Sequence, residues 1–180
     1  MNSDEYTSLT RAQARRHWTR IHRGTSIIQP DVYVTKWNGA HVVIKDFAKR
    51  PILLRVLCQR WIAKREWKAL EKLRDLPGVP KPYGMMDRDA IVMEFMPSRG
   101  ELRSHKQTNA DTYPSLAFFT ALGETVRRMH ETGVAHGDIR RTNLLLGPDG
   151  QPCLIDFASA VFANARPGII HQRLFNLMAR

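Results

Sequence analysis

The residues best placed to do chemistry lie in His136-Gly137-Asp138-Ile139-Arg140-Arg141-Thr142-Asn143 and, thirteen positions beyond Asn143, at Asp156 in the apolar run Leu154-Ile155-Asp156-Phe157-Ala158. A carboxylate five residues before a carboxamide, with a second carboxylate on a following apolar strand, is the spacing used for phosphoryl transfer. A chain of this composition meets the His-x-Asp-x4-Asn pattern by accident about once in a hundred. The bland alternative is that Asp138 and Asn143 cap a turn and that Asp156 merely ends a strand, as Asx side chains often do. His136 reads as a hydrogen-bonding strut rather than a base. Two further residues stand out. Lys45 lies in a strand-like run, Val42-Val43-Ile44-Lys45, and Glu66 sits on a helical stripe with Ile62, Ala69, Leu70 and Leu73. A carboxylate on the buried side of a helix is costly unless a cation meets it. That cation is a lysine or arginine from elsewhere, or Arg60 or Arg74 of the same helix.

Stepping along the chain gives the elements that must hold these groups. Residues 5–23 read as a short basic helix capped by Thr7 or Ser8. Residues 31–47 form a hairpin around Asn38-Gly39, the strongest short hairpin signal, with His41, Val43, Lys45 and Phe47 on one face of the second strand. A helix runs over about 55–74, in which Trp61 and Trp67 are expected to pack toward a core rather than stack on nucleic acid. Pro77-Gly78-Val79-Pro80 ends it, and a second hairpin over 81–96 turns near Asp87–Asp89. Residues 97–113 make a polar linker. An amphipathic helix over 114–131 carries Leu116, Phe119, Leu122, Val126 and Met129, and Gly133 closes it. Two short apolar strands flank the turn Gly147–Gly150, and a short helix is expected within 171–180.

The 180 residues suit one domain or two small lobes, with 43% hydrophobic and 25% charged residues excluding global disorder. No apolar run approaches the roughly 20 residues that span a bilayer. The N-terminus lacks the apolar core of a secretory signal. Cys58 and Cys153 form no paired motif and read as free thiols of a cytoplasmic chain. With 28 Lys+Arg against 17 Asp+Glu, the net charge of +11 favours polyanionic partners, or simply solvated basic faces.

The segment from Met129 to Ala160 resembles the catalytic segment of the protein-kinase-like superfamily. It is most similar to the compact HGD-type branches, the RIO kinases and the lipopolysaccharide-core (Kdo-type) kinases, over about residues 21–160. The resemblance implies an α+β, bilobal kinase-like fold: a basic extension over 1–20, a strand-rich N-lobe over 21–97, a reduced helical C-lobe over 98–180, and ATP in the cleft between lobes. It implies that Lys45 holds the α/β phosphates and pairs with Glu66. Asp138 would accept or orient the acceptor proton, Arg140 would neutralise the transferring phosphate, and Asn143 and Asp156 would bind Mg²⁺. Val43, Met93, Glu94 and Met96 would border adenine, with Gly24, Thr25 and Ser26 over the phosphates.

Departures from the family pattern are plain. No G-x-G-x-x-G loop is present, Gly137 replaces the arginine of HRD, and Ala158 replaces the glycine of DFG. No APE motif follows Asp156, so control by activation-loop phosphorylation is not expected. Three functions compete. The first is an ATP-dependent phosphotransferase acting on a hydroxyl, of the RIO-like serine/threonine type or the sugar-kinase type, with the basic helix 49–74 suited to an anionic surface (ribonucleoprotein or membrane); slow ATP hydrolysis used as a conformational switch is a version of it. The second is a nucleotide-binding pseudokinase serving as an interaction module. The third, resting on charge alone, is a nucleic-acid binder.

Overall fold

Alternation along two strands sets the first layer. In β2 (Asp31–Trp37) residues 31, 33 and 35 are buried, and in β3 (Ala40–Asp46) residues 42, 44 and 46 are, because strand side chains alternate between faces. The two join through Asn38 and Gly39, both at positive φ (48° and 81°), as a type I′ turn demands. The computed structural model describes residues 9–24, 29–49, 51, 53, 60–98 and 114–163. Among these the elements divide into two compact units: residues up to Trp67 together with Lys81–Phe95, and Lys68–Pro80 together with the residues from Met96 onward.

The first unit is built on a five-stranded antiparallel sheet in the order β1-β2-β3-β5-β4, where β1 is Thr19–His22, β4 is Pro82–Met86 and β5 is Ala90–Glu94. One face carries Tyr33, Val42, Ile44 and Val92 and is covered by Leu9, Ala14 and Trp18 around the short helix α1 (Arg11–Arg15). Trp18 stacks on Tyr33 with ring centroids 4.0 Å apart. Thr10 caps α1 in a reciprocal capping box with Gln13. Arg11 fixes the helix to the sheet by pairing with the buried Asp46 and with Asp87. Burial works against the charge of Arg11, but its hydrogen bonds to Asp87 and Asp46 hold its pKa above the ordinary arginine value. The opposite sheet face carries Val34 across from Val43 and Val32 across from Lys45.

Helix α2 (Arg60–Lys72) buries Ala63, Glu66, Ala69 and Leu70. The second unit contains its last turn, helix α3 (Leu116–Glu131), the pair β6 (Val134–Ala135) with β9 (Val161–Phe162), and the hairpin of β7 (Leu144–Leu146) with β8 (Pro152–Leu154). The Pro77-Gly78 turn lies directly on β8. The Leu154 amide donates to the Gly78 carbonyl at 2.7 Å, and a Cβ on Gly78 would stand 2.6 Å from the Pro152 oxygen.

Several expectations change. Within 5–23 only Arg11–Arg15 is helical among the described residues, and Thr19–His22 is a strand, because pairing with β2 outweighs the weak propensity of so short a helix. On α3, Leu116 and Phe119 are exposed whereas Phe118 and Met129 are buried. Steps of three residues turn 300° and drift off one face, whereas Phe118, Leu122, Thr125 and Met129 stay within an arc of about 60°. Trp61 is exposed and lies under the Arg65 guanidinium at 4.2 Å instead of in a core. Cys153 is buried and forms no disulfide among the described residues. Cys58, all but the first two residues of the linker expected over 97–113, and the expected C-terminal helix lie outside the described residues. No helix among the described residues is long and apolar enough to cross a membrane.

Candidate active site

In the first unit β3 and α2 bring together the two residues whose types were hardest to reconcile with burial. Lys45 Nζ lies 2.6 Å from Glu66 Oε1, with the lysine side chain 12% and the glutamate 1% exposed. The other two cations open to Glu66 are committed elsewhere, Arg60 to Asp89 at 3.2 Å and Arg74 to Glu71 at 2.6 Å. A carboxylate this deeply buried needs a close cation, and such a pair is geometrically exacting because each partner alone is an uncompensated charge. The pair thus fixes the lysine ammonium on a half-open sheet face. Val43 shares that face and sits across from Met93, which is buried on β5.

Glu94 does not offer a free amide. Its N–H donates to the Lys81 carbonyl at 2.8 Å, and its carboxylate accepts from the Lys81 amide at 3.1 Å. The Gly24 amide donates to Asp31 Oδ1 at 3.1 Å, which ties down the entry to β2. Thr25 and Ser26 fall outside the described residues. Met96 belongs to the second unit, where it lines a cavity of about 420 Å³ with Pro77, Thr125, Pro148 and Cys153.

The second unit positions the loop between β6 and β7. His136 is fully buried, and its neighbours fix its tautomer: the Asp138 amide must donate to Nδ1 (3.3 Å), so Nε2 carries the proton and donates to the Ile155 carbonyl (3.1 Å). Asn143 is the second strut. Its Nδ2 donates to both the main-chain oxygen (2.9 Å) and the Oδ2 (3.0 Å) of Asp138, while the main-chain carbonyl of Asn143 accepts from the Ile155 amide at 3.0 Å. Both main-chain polar groups of Ile155 are therefore held by the loop, and Asp156 follows immediately in the left-handed region at φ 69°, ψ 72°. Such a conformation in a non-glycine residue costs of order 1–3 kcal/mol and persists where surrounding bonds impose it. Asp138 presents a carboxylate 33% exposed, with Arg140 Nε 3.1 Å from its Oδ2 and the arginine side chain 64% exposed.

Sequence reasoning passed over why residue 137 is glycine. It has φ +78°, and a Cβ there would stand 2.3 Å from the Ser159 carbonyl oxygen. Any side chain would force apart the Asp138 loop and the turn after Asp156. The signal was present in the His-Gly-Asp order, but reading it as a lost arginine hid the packing reason.

The donor set suits Mg²⁺. Because both hydrogen bonds of the Asn143 amide nitrogen go to Asp138, its Oδ1 is the atom that could meet a cation, approached among the described residues by the Thr142 hydroxyl at 3.4 Å. Together with the Asp156 carboxylate it would offer two hard oxygen ligands, a set of the kind that a phosphate-bound Mg²⁺ takes from protein. Among the described residues no three His, Cys, Asp or Glu side chains gather into a stand-alone metal cluster.

The RIO domain model matches residues 35–169, three quarters of the chain. The chain belongs to the RIO family. Its α+β architecture is accordingly the kinase-like fold, and the family is one of phosphotransferases. A probable bifunctional tRNA threonylcarbamoyladenosine biosynthesis protein of Methanosphaera stadtmanae is 28% identical over 141 residues, 76% of this chain and 26% of that protein. A 3-deoxy-D-manno-octulosonic acid kinase of Xanthomonas axonopodis pv. citri is 28% identical over 138 residues, 67% of this chain and 53% of that enzyme. CBL-interacting serine/threonine-protein kinase 7 of Arabidopsis thaliana is 34% identical over 113 residues, 59% of this chain and 26% of that kinase. This RIO-domain chain thus spans between about a quarter and about half of the length of these curated relatives.

Proposed function

We propose that this chain transfers the γ-phosphoryl group of ATP to a hydroxyl acceptor. The observation that carries the reading is the Asp138–Asn143 arrangement, in which a part-exposed carboxylate is held at its main chain and at one oxygen by a buried carboxamide. The acceptor oxygen would form its bond to the γ-phosphorus as the bond to the departing ADP oxygen breaks, and its proton would pass to the Asp138 carboxylate. Arg140, already beside that carboxylate, would swing its exposed guanidinium toward the phosphoryl oxygens, where little covalent assistance is needed and charge neutralisation dominates. Lys45, fixed by Glu66, would hold the α/β phosphates. Asn143 Oδ1 and Asp156 would hold Mg²⁺, which screens the phosphate charge when bound. Val43 and Met93, paired across β3 and β5, would border adenine, with Glu94 and Met96 following in the chain.

The names of the relatives point to two acceptor types, a protein serine or threonine and an acidic sugar. A second reading, a nucleotide-binding module without turnover, draws on the Gly24 amide being committed to Asp31. One experiment addresses all three: purified protein with γ-labelled ATP and Mg²⁺, beside Asp138→Asn. Labelled wild-type protein and silent Asp138→Asn are expected for a protein acceptor, and free phosphate without labelled protein for a small-molecule acceptor or slow hydrolysis. Equal turnover in both proteins would remove Asp138 from the mechanism. Silence in both, with nucleotide binding retained, would favour the module.

A further inference from the structure

The stretch Arg15-Arg16-His17-Trp18-Thr19-Arg20-Ile21-His22-Arg23 holds four arginines and two histidines and no acid. The fold places it at the sheet edge of the first unit, where all four residues of β1 are exposed. Lys36 joins it from the exposed end of β2, opposite His41. None of Arg15, Arg16, Arg20, Arg23 and Lys36 makes an ion pair among the described residues. The carboxylates of β2 and β3 are taken: Asp31 by Gly24, Tyr33 and Lys49, and Asp46 by Arg11. Lys36, alone of these five cations, also lines a cavity of about 340 Å³ with His17, Thr19, Thr35 and His41, and with Val34 as its apolar member. Five unneutralised charges at one edge repel one another and lower stability slightly, so an arrangement like this fits a polyanion.

We infer that this edge binds the phosphodiester backbone of a nucleic acid, apart from the phosphotransfer residues. Three features favour that occupant over other anionic surfaces. Four of the five permanent cations are arginines, whose planar fork matches phosphate oxygens in pairs. Ile21 is the one large apolar side chain of β1 that is exposed, too little to bury in a lipid headgroup layer. Trp18 is already stacked on Tyr33 and so is not offered to bases, which makes the surface a reader of charge rather than of sequence. The cavity would seat one phosphate between Lys36 and the Thr19 hydroxyl.

The test is fluorescence anisotropy of the full chain with a labelled 20-nucleotide single-stranded RNA of mixed sequence, titrated from 50 to 200 mM salt. Neutralising five phosphates gives a slope of log affinity against log salt near −3.5, a fall of roughly a hundredfold over that range. Arg16→Gln/Arg20→Gln/Lys36→Gln should reduce the slope to about −1.4 and the fall to roughly sevenfold. Lys81→Gln/Arg88→Gln/Arg128→Gln, an equal loss of charge from other exposed positions, should leave the slope unchanged. If the triple edge variant misfolds, Arg20→Gln and Lys36→Gln taken singly should each lower the slope by about 0.7. Equal slopes in edge and control variants would overturn the assignment, as would absence of RNA binding at 50 mM salt. So would edge-dependent binding of phosphatidylserine vesicles without binding of RNA. Phosphotransfer in the edge variant should match wild type, so failure of this inference leaves the Asp138 result untouched.

Discussion

Gly137→Ala isolates the contact on which the loop geometry depends. Two costs combine there. A Cβ at φ +78° meets the left-handed penalty of about 1–2 kcal/mol. It would also stand 2.3 Å from the Ser159 oxygen, so the Asp138 loop or the turn at 157–159 must yield by nearly an ångström, an overpacking strain of about 1–3 kcal/mol. Gly150 provides the internal control, since it has φ +79° and nothing within 4 Å of an added Cβ. Gly150→Ala should therefore lose only the first cost, and Gly137→Ala about 2–5 kcal/mol in total. In urea unfolding both midpoints should fall with unchanged m, that of Gly137→Ala two to three times as far. Because Asp138 is the next residue, Gly137→Ala should also depress phosphotransfer, whereas Gly150→Ala should not. Equal midpoints for the two variants would refute the reasoning, for they would show that the Ser159 carbonyl does not crowd position 137.

Two further outcomes follow from burial. Lys45→Met leaves the Glu66 carboxylate buried without its lysine and should cost about 3–5 kcal/mol in denaturant unfolding, while Lys45→Met/Glu66→Leu should recover most of that loss without recovering phosphotransfer. If the double variant is no more stable than the single one, the pair is not the source of the cost. His130 is held below its ordinary pKa of 6.5 by burial, so the unfolded chain takes up its proton first. Its contribution to stability is complete above pH 6.5 and is lost as pH falls through the folded-state value. His130→Gln should flatten the acid side of a stability-pH curve measured by urea midpoints between pH 7.5 and 5, and an unchanged acid limb would contradict this.

The sequence by itself was enough for elements whose signals are local. Asn38-Gly39 makes the hairpin because two consecutive positive φ values are open at low cost to Gly, and next to it to Asn and Asp. Glu66 on an apolar stripe demanded a cation, since burying a lone carboxylate is prohibitive whatever the fold. The spacing from Asp138 to Asn143 to Asp156 carried the family resemblance, because loop chemistry of this kind tolerates few insertions. The tertiary structure alone decided which cation meets Glu66, for Arg60 and Arg74 were as near in sequence terms as Lys45 was far, and only sheet register and the pairings with Asp89 and Glu71 separate them. It decided that residues 19–22 form a strand, since an edge strand exists only when another strand lies beside it. It decided the buried arc of α3, where the periodicity admits neighbouring stripes and the packing partner selects one. It also showed that residue 137 must be glycine, because that depends on a carbonyl twenty-two positions away in the chain. Local propensity and charge act along the chain, whereas a close approach between distant segments has no trace in either segment alone.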